Sequence, residues 1–423
     1  MRVSVKWKTQ SPSKILEKIF EMAEVEKDGS VVFYSNSFEL LPFDYIKDSI
    51  KFSSDNIDDN DKDELVIKAV RYCVLNKKLN PDDFLDQISI EAKKINRKYE
   101  NKNLITSLSV SKLPFREIQV FESKIKFYKR IPRKFHSREQ ILKKLHTNTV
   151  QDQHYYKCIV STLTDSNEIG IHLKNLNILR ALFSLYNNYS FQMFTGLQKT
   201  PINRVCLGPF HTLHNSNGEP LGNEVGYELK FIELEAIEIK QFKSLFSKII
   251  DKIEKSPYKE ELKNSLVLYV KALDDYDANI SLVLLWNALD KLTNECPGNY
   301  DKIIDRSKII FGNNSHHSQV ITTLKNVRND YVHNMSHNKK ARSYCYELQI
   351  YFKFIFFLHL SNLSHLNSMK EALTTIDYLG KLNVGYKNEK NIFRTALNIH
   401  KKNQMKSKDK KNAKPSKGAI KHS

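Results

Sequence analysis

The stretch Arg328-Asn329-Asp330-Tyr331-Val332-His333 places an arginine, a carboxamide and a histidine within six residues. A histidine titrates near neutrality and can take or give a proton. An arginine stays charged and offers paired donors to phosphate or phosphorane oxygens. On RNA the 2′-OH is a built-in nucleophile, so these groups could cleave the chain without a metal-bound water. The product would end in a 2′,3′-cyclic phosphate, and DNA would survive. Spacing alone is weak: 13 Arg and 14 His in 423 residues give about 0.4 Arg-x4-His pairs by chance. In isolation the hexapeptide reads as an exposed helix end with a capping histidine. Its context raises it. Val320, Ile321, Leu324 and Val327 stop at Arg328, and apolar character returns strongly only after Tyr344, so a core-forming pattern turns polar inside a helical region. On an ideal helix Asn329 and His333 share a face, while Arg328 and His333 lie about 140° apart. The long arginine can wrap, or a second copy of the helix can complete the pocket. The second option predicts a homodimer with a composite site.

Other constellations are weaker. Asp59, Asp61 and Asp63 have the first spacings of a calcium loop, but Glu64 replaces the turn glycine and Val70 the twelfth ligand, so a solvated loop is expected. Asp82 with Glu91-Ala92-Lys93 imitates the carboxylates and lysine of a metal-dependent nuclease. That chemistry needs Glu and Lys on a strand beside the aspartate, whereas Ile90–Tyr99 reads as helix. His211 and His214, near Cys206 and Glu219, sit in a turn-rich setting and read as structural histidines. Arg130, Arg133, Lys134 and Arg138, with Phe135 among them, form a basic cluster that could track an RNA backbone and stack a base; a basic surface is the simpler alternative. The five cysteines lie far apart without a Cys-x2-Cys pair, so neither a zinc knuckle nor a disulfide framework is expected. No metal and no cofactor is expected.

Residues from about 236 to 400 resemble the HEPN superfamily, helical domains whose ribonuclease signature is an arginine, a polar residue, three further residues and a histidine. That signature stands here as Arg328-Asn329-Asp330-Tyr331-Val332-His333, preceded by Leu284-Leu285-Trp286-Asn287-Ala288-Leu289-Asp290-Lys291-Leu292, which is similar to the family's helix with an acidic residue. The resemblance implies Arg328 and His333 as catalytic, Asn329 as supporting, Asp290 as an orienting acid, and dimerisation with the two motifs facing each other. Asp290 stands where a glutamate is common. The chain looks most like the bacterial Apea-like HEPN proteins of anti-phage defence, with pattern-level likeness upstream through Ser107–Val120, Leu176–Leu185 and Gly208–His214. The runner-up is a non-catalytic HEPN-type dimer that holds RNA or protein.

The elements that must position these groups follow from periodicity. Helical spacing predicts helices over Leu65–Leu75, Phe84–Tyr99 and Ile169–Tyr186. In the C-terminal half it predicts Ala236–Lys255, Lys259–Asp274, Asp277–Asn294, Ser318–Val327, Lys340–Leu363, Met369–Leu379 and Asn391–Lys402. A period of two predicts strands over Ser30–Tyr34, Leu104–Val110, Glu117–Phe121, Lys124–Tyr128, Tyr155–Leu163 and Tyr227–Ile232. The expected fold is α+β: a mixed α/β N-terminal sensor or substrate-guiding region over 1–234, with a subdomain split near 100, and an all-α HEPN bundle over 235–400. A disordered tail over 401–423 carries nine lysines against one aspartate.

The formal net charge of +19 favours polyanions, RNA foremost, tRNA or mRNA included. No apolar stretch has the length of a signal peptide or membrane span, so a cytoplasmic protein without membrane contact is expected. An unrestrained ribonuclease would harm its host, so a phage-derived or protein trigger is expected as well.

Overall fold

The computed structural model describes residues 5–383 except 9–11, 28–29, 34–40, 53–56, 58, 95–98, 145–153, 189–199, 229–230, 296–297, 310 and 312–313. The expected helix at Asn391–Lys402 and the lysine-rich tail lie outside the described residues, as does Cys296. The architecture is α+β with a helical C-terminal half.

The N-terminal elements are β1 (Val5–Trp7), α1 (Ser13–Glu21), β2 (Ala23–Val25), β3 (Val31–Phe33), α2 (Leu41–Ser49), β4 (Ile50–Phe52), α3 (Asp59–Leu75) and α4 (Pro81–Lys94). They enclose a core of their own, with Ile19, Ile46, Val70, Phe84 and Ile88 at its centre. The expected acidic loop is in fact the first turn of α3. Asp82, Glu91 and Lys93 share the single helix α4, and Glu91 accepts from Gln87 (2.8 Å) and Lys94 (2.6 Å). The strand beside an aspartate that the metal-dependent nuclease reading needs is therefore not formed there.

A six-stranded antiparallel sheet follows in the order β11-β10-β5-β9-β8-β7. Its strands are β5 (Glu100–Leu108), β7 (Glu117–Val120), β8 (Ser123–Tyr128), β9 (Tyr156–Thr164), β10 (Phe210–His214) and β11 (Pro220–Tyr227), with the short β6 (Val110–Lys112) beside it. Alternation sorts its faces. Leu104, Leu108, Ile125 and Val160 enter the main core, while Ile105 and Ile159 pack under Phe135 on the other side. There the chain makes a 3-10 turn (Arg133–Phe135) and α5 (Ser137–Lys144). The strand expected over Tyr227–Ile232 ends at Tyr227 instead.

Helix α6 (Ile169–Asn187) is buried at every position from Asn175 to Leu185, which a helix can be only when covered on all sides. It lies between the sheet and the bundle, against β9 and α8. The bundle comprises α7 (Lys243–Glu254), α8 (Lys259–Asp274), α9 (Ala278–Thr293), α10 (Tyr300–Ile309), α11 (Ser315–Asn334), α12 (Ala341–Leu358) and α13 (Met369–Asn383). One core runs unbroken from Leu104 on the sheet to Ile376 on α13. The first residues of the expected Ala236–Lys255 helix do not coil: β12 (Ile237–Glu238) pairs parallel with β6, and α7 starts only at Lys243. Among the described residues no helix is long and apolar enough to cross a membrane.

Two histidines are fully buried in this core. His359 opens a π turn (His359–Leu363) after α12, donates through Nε2 to the Leu292 carbonyl (2.9 Å) and meets the Tyr258 hydroxyl at Nδ1 (3.3 Å). His172 lies within α6. Burial pushes both down to about 4, against an ordinary value near ~6.5. Between those values the unfolded chain binds protons that the fold refuses. Stability should thus be complete above about pH 6.5 and be lost towards about pH 4, by up to ~3 kcal/mol from each histidine. Urea midpoints measured across that window should fall with pH; a flat profile would contradict the neutral assignment.

Candidate active site

Helix α11 carries the hexapeptide. Asn314 caps it, its side chain accepting from the His316 N–H at 2.9 Å. The helix runs without a break through Val327 and two further turns to Asn334. The expected end at Val327 is thus not a break in the helix: apolar spacing stops there, but backbone coiling continues. Closure comes at Met335, in the left-handed region at φ 51°, with its N–H returned to the Tyr331 carbonyl at 2.9 Å. A non-glycine side chain there costs about 1–2 kcal/mol, so the end of this helix is mildly strained one residue beyond Asn334.

The chain folds back just past this point. Asn279 on α9 accepts from the Asn338 N–H (2.9 Å) and its amide nitrogen meets His337 Nδ1 (3.3 Å), while the His337 ring packs edge-on against Tyr331 (5.3 Å). Asp277 starts α9 by accepting from the Asn279 N–H at 2.8 Å. The exit of α11 and the entry of α9 are therefore tied together.

Arg328 faces inward and is 9% exposed. Its guanidinium lies over the Tyr300 ring at 4.9 Å, and Tyr300 in turn packs edge-on against the fully buried Trp286. Nη1 donates to Asn329 Oδ1 (3.1 Å), whereas the buried Nε has no hydrogen-bond partner. A buried N–H without an acceptor costs about 1–3 kcal/mol, more on a charged group, and this arginine has no carboxylate in salt-bridge contact among the described residues.

Asp290 is buried on α9, and burial pushes its carboxyl up, opposed by a hydrogen bond from Asn294 and, more weakly, by the charge of Arg328. Its Oδ1 accepts from Asn294 Nδ2 at 2.5 Å, and Asn294 also donates to the Asn299 carbonyl at 3.0 Å. Asp290 thus shapes the turn leading to Tyr300 and acts on Arg328 through space. His333 is exposed in the last turn, one turn beyond the half-buried Asn329. Arg328 and Asn329 are in contact, then, Asp290 acts on Arg328 only through space, and His333 stands on the solvent side.

The basic cluster divides. Arg130, Arg133 and Lys134 are exposed, but Arg138 is buried and donates to the Phe210 carbonyl at 3.0 Å. Phe135 is buried edge-on against His214 (5.6 Å), so it cannot stack a base. Both histidines of β10 find protein partners: His211 meets Thr106 Oγ1 (2.8 Å) and Glu228 Oε1 (3.0 Å), and His214 meets the Gly218 carbonyl (3.1 Å) and Thr212 Oγ1 (3.0 Å). Thr106–His211–Glu228 has the connectivity of a hydrolytic triad, yet Thr106 is wholly buried and no substrate reaches it. Among the described residues no cluster of three or more His, Cys, Asp or Glu is arranged to hold a metal ion.

Sequence periodicity also missed the most deeply buried arginine among the described residues. Arg180, 1% exposed in the middle of α6, donates to the Val205 carbonyl (2.9 Å), Asn177 Oδ1 (2.7 Å) and Asp274 Oδ1 (2.7 Å). A cation set among Leu176, Ile178, Leu179 and Leu182 was the signal. The two arginines make a contrast in stability. Arg180→Met takes the cation from Asp274, whose side chain is 32% exposed, and leaves the Asn177 and Val205 acceptors unmet, so it should cost about 2–3 kcal/mol, less than breaking a fully buried pair. Arg328→Met removes a charge that has no paired carboxylate, and urea unfolding should register a change within about 1 kcal/mol or a gain. Equal losses would make Arg328 a structural arginine.

No protein-family model, curated protein or solved structure matches this chain, so its function is read from these side chains.

Proposed function

We propose that the protein is a metal-independent endoribonuclease of the HEPN type, with Arg328 and His333 of α11 as its catalytic pair. The observation that carries this reading is the burial of Arg328 under Tyr300 with Nε lacking an acceptor. A guanidinium kept in that state is poorly explained by stability and is suited to a phosphoryl oxygen that arrives with substrate. Asn329, which accepts from Arg328 Nη1, stands between it and the solvent-facing His333. His333 would take the 2′-OH proton or return one to the leaving 5′-oxygen, and Arg328 would stabilise the charge on the phosphorane.

The buried and exposed positions of the pair fit a composite site, in which the His333 of a second chain meets the Arg328 of the first. The exposed Arg130, Arg133 and Lys134 would contribute to holding RNA. In this reading the enzyme acts in the cytoplasm on tRNA or mRNA during anti-phage defence, restrained until a trigger arrives. The second reading, a non-catalytic dimer holding RNA or protein, draws on the exposure of His333 on a side of α11 away from Arg328.

Purified protein incubated with total RNA in EDTA should generate 2′,3′-cyclic phosphate ends. His333→Ala and Arg328→Ala should each lower the rate by roughly 10²–10⁴, and Arg328→Lys should not restore it, because a point charge lacks the guanidinium fork. Single-stranded DNA should remain intact. Wild-type and His333→Ala chains that arrest growth equally, with RNA uncut, would decide for the binding reading.

A further inference from the structure

A second polar site opens where the sheet meets the bundle. Its walls come from α6, the 201–207 segment, the end of β11 and the turn after α8. Arg180, Cys206, Glu228, Phe231, Asp274 and Tyr276 line a cavity of about 60 Å³, room for one planar headgroup, with Ile232 on the rim. The polar groups are already organised by the fold. Arg180 spends its donors on Val205, Asn177 and Asp274, and Asn203 donates to the same Asp274 Oδ1 at 2.7 Å. Glu228 accepts His211 through Oε1, which holds its carboxyl below the usual range. Each carboxylate keeps one oxygen with no hydrogen-bond partner among the described residues.

The charge balance points one way. Arg180 offsets the Asp274 carboxylate; with His211 as a neutral donor Glu228 keeps its negative charge, eased only through space by Arg180 and Lys271, and the cavity offers two acceptor oxygens. The Cys206 thiol is driven up by burial and offers no nucleophile. Phe231, Ile232 and Tyr276 add apolar surface around the acceptors. A small group rich in N–H donors, positively charged and attached to an apolar or aromatic body, meets each of these features.

We infer that this cavity binds a guanidinium-bearing ligand, with the cation against Glu228 and Asp274 and its apolar body at Phe231 and Ile232. Glu228 is the discriminating residue. Its side chain is 45% exposed, and glutamine preserves an acceptor for His211 while removing the charge.

Calorimetric titration with phenylguanidinium tests the site. Wild type should bind it saturably, and phenylurea, its neutral isostere, at least about tenfold more weakly. Glu228→Gln should weaken phenylguanidinium by at least about tenfold while leaving the melting temperature in place. Ile232→Arg, at a rim position that is 41% exposed, places a guanidinium there within the chain and should abolish binding. A capped Gly-Arg-Gly peptide in a parallel titration separates the two sources: tighter peptide binding assigns the site to an arginine offered by a protein, tighter phenylguanidinium binding to a small molecule. No saturable binding to wild type, equal affinity for phenylurea, or an unchanged affinity in Glu228→Gln would overturn the proposal. None of these readings depends on RNA cleavage.

Discussion

Arg180 and Asp274 hold the two layers of this protein to each other. Moving a guanidinium into an apolar helix is costly unless every donor is met and a carboxylate offsets the charge. Here the carboxylate comes from the end of α8, the carbonyl from Val205 beside the sheet, and the amide acceptor from Asn177 one turn back on α6. The position of α6 between sheet and bundle is therefore specified by directional bonds as well as by apolar area. Asn203, which also serves Asp274 and receives the Ser184 hydroxyl, extends the same network into the 201–207 segment. The entry of α9 follows three residues after Asp274, and through Asn279 it fixes the exit of α11.

Much of the helical half was legible because its stripes are regular. Lys259–Asp274 coils over the expected residues, and Asp277–Asn294 differs only in that its terminal residues are caps. The departures have local causes. Ile237 and Glu238 carry helical spacing but lie beside the free edge of β6, and pairing with Val110 and Lys112 wins over coiling. The helix Tyr300–Ile309 has a short, strongly charged pattern, and it is held by burial of Ile303 and by Arg306 on Asp377 (2.8 Å). Of the three-residue N-terminal strands, β3 falls within the expected Ser30–Tyr34, while β1, β2 and β4 are too short for alternation to announce them.

The candidate site was legible in its residue types and only partly in its arrangement. A polar turn after Val327 could be read, yet the helix continues because its backbone bonds do not depend on apolar side chains. That Asp290 would serve Asn294 and the following turn before it serves Arg328 could not be read, since the partner lies only four residues along the same chain and competes at close range. The opposite exposures of Arg328 and His333 agree with the ~140° separation that their spacing dictates. Arg138 and Phe135, expected on a basic surface, are drawn inward by the Phe210 carbonyl and by His214 across the sheet.

The distribution of apolar contacts also bears on how the chain loses its structure. Residues 5–94 have a core of their own, whereas sheet, α6 and bundle share another that residue 234 does not interrupt. Cooperativity follows contiguous burial, so the natural seam for stepwise opening lies ahead of β5, not between sheet and bundle. Removal of the first segment can spare the helices of the bundle; a chain started at 235 would lose the layer against which α8 packs and leave Asp274 without its cation.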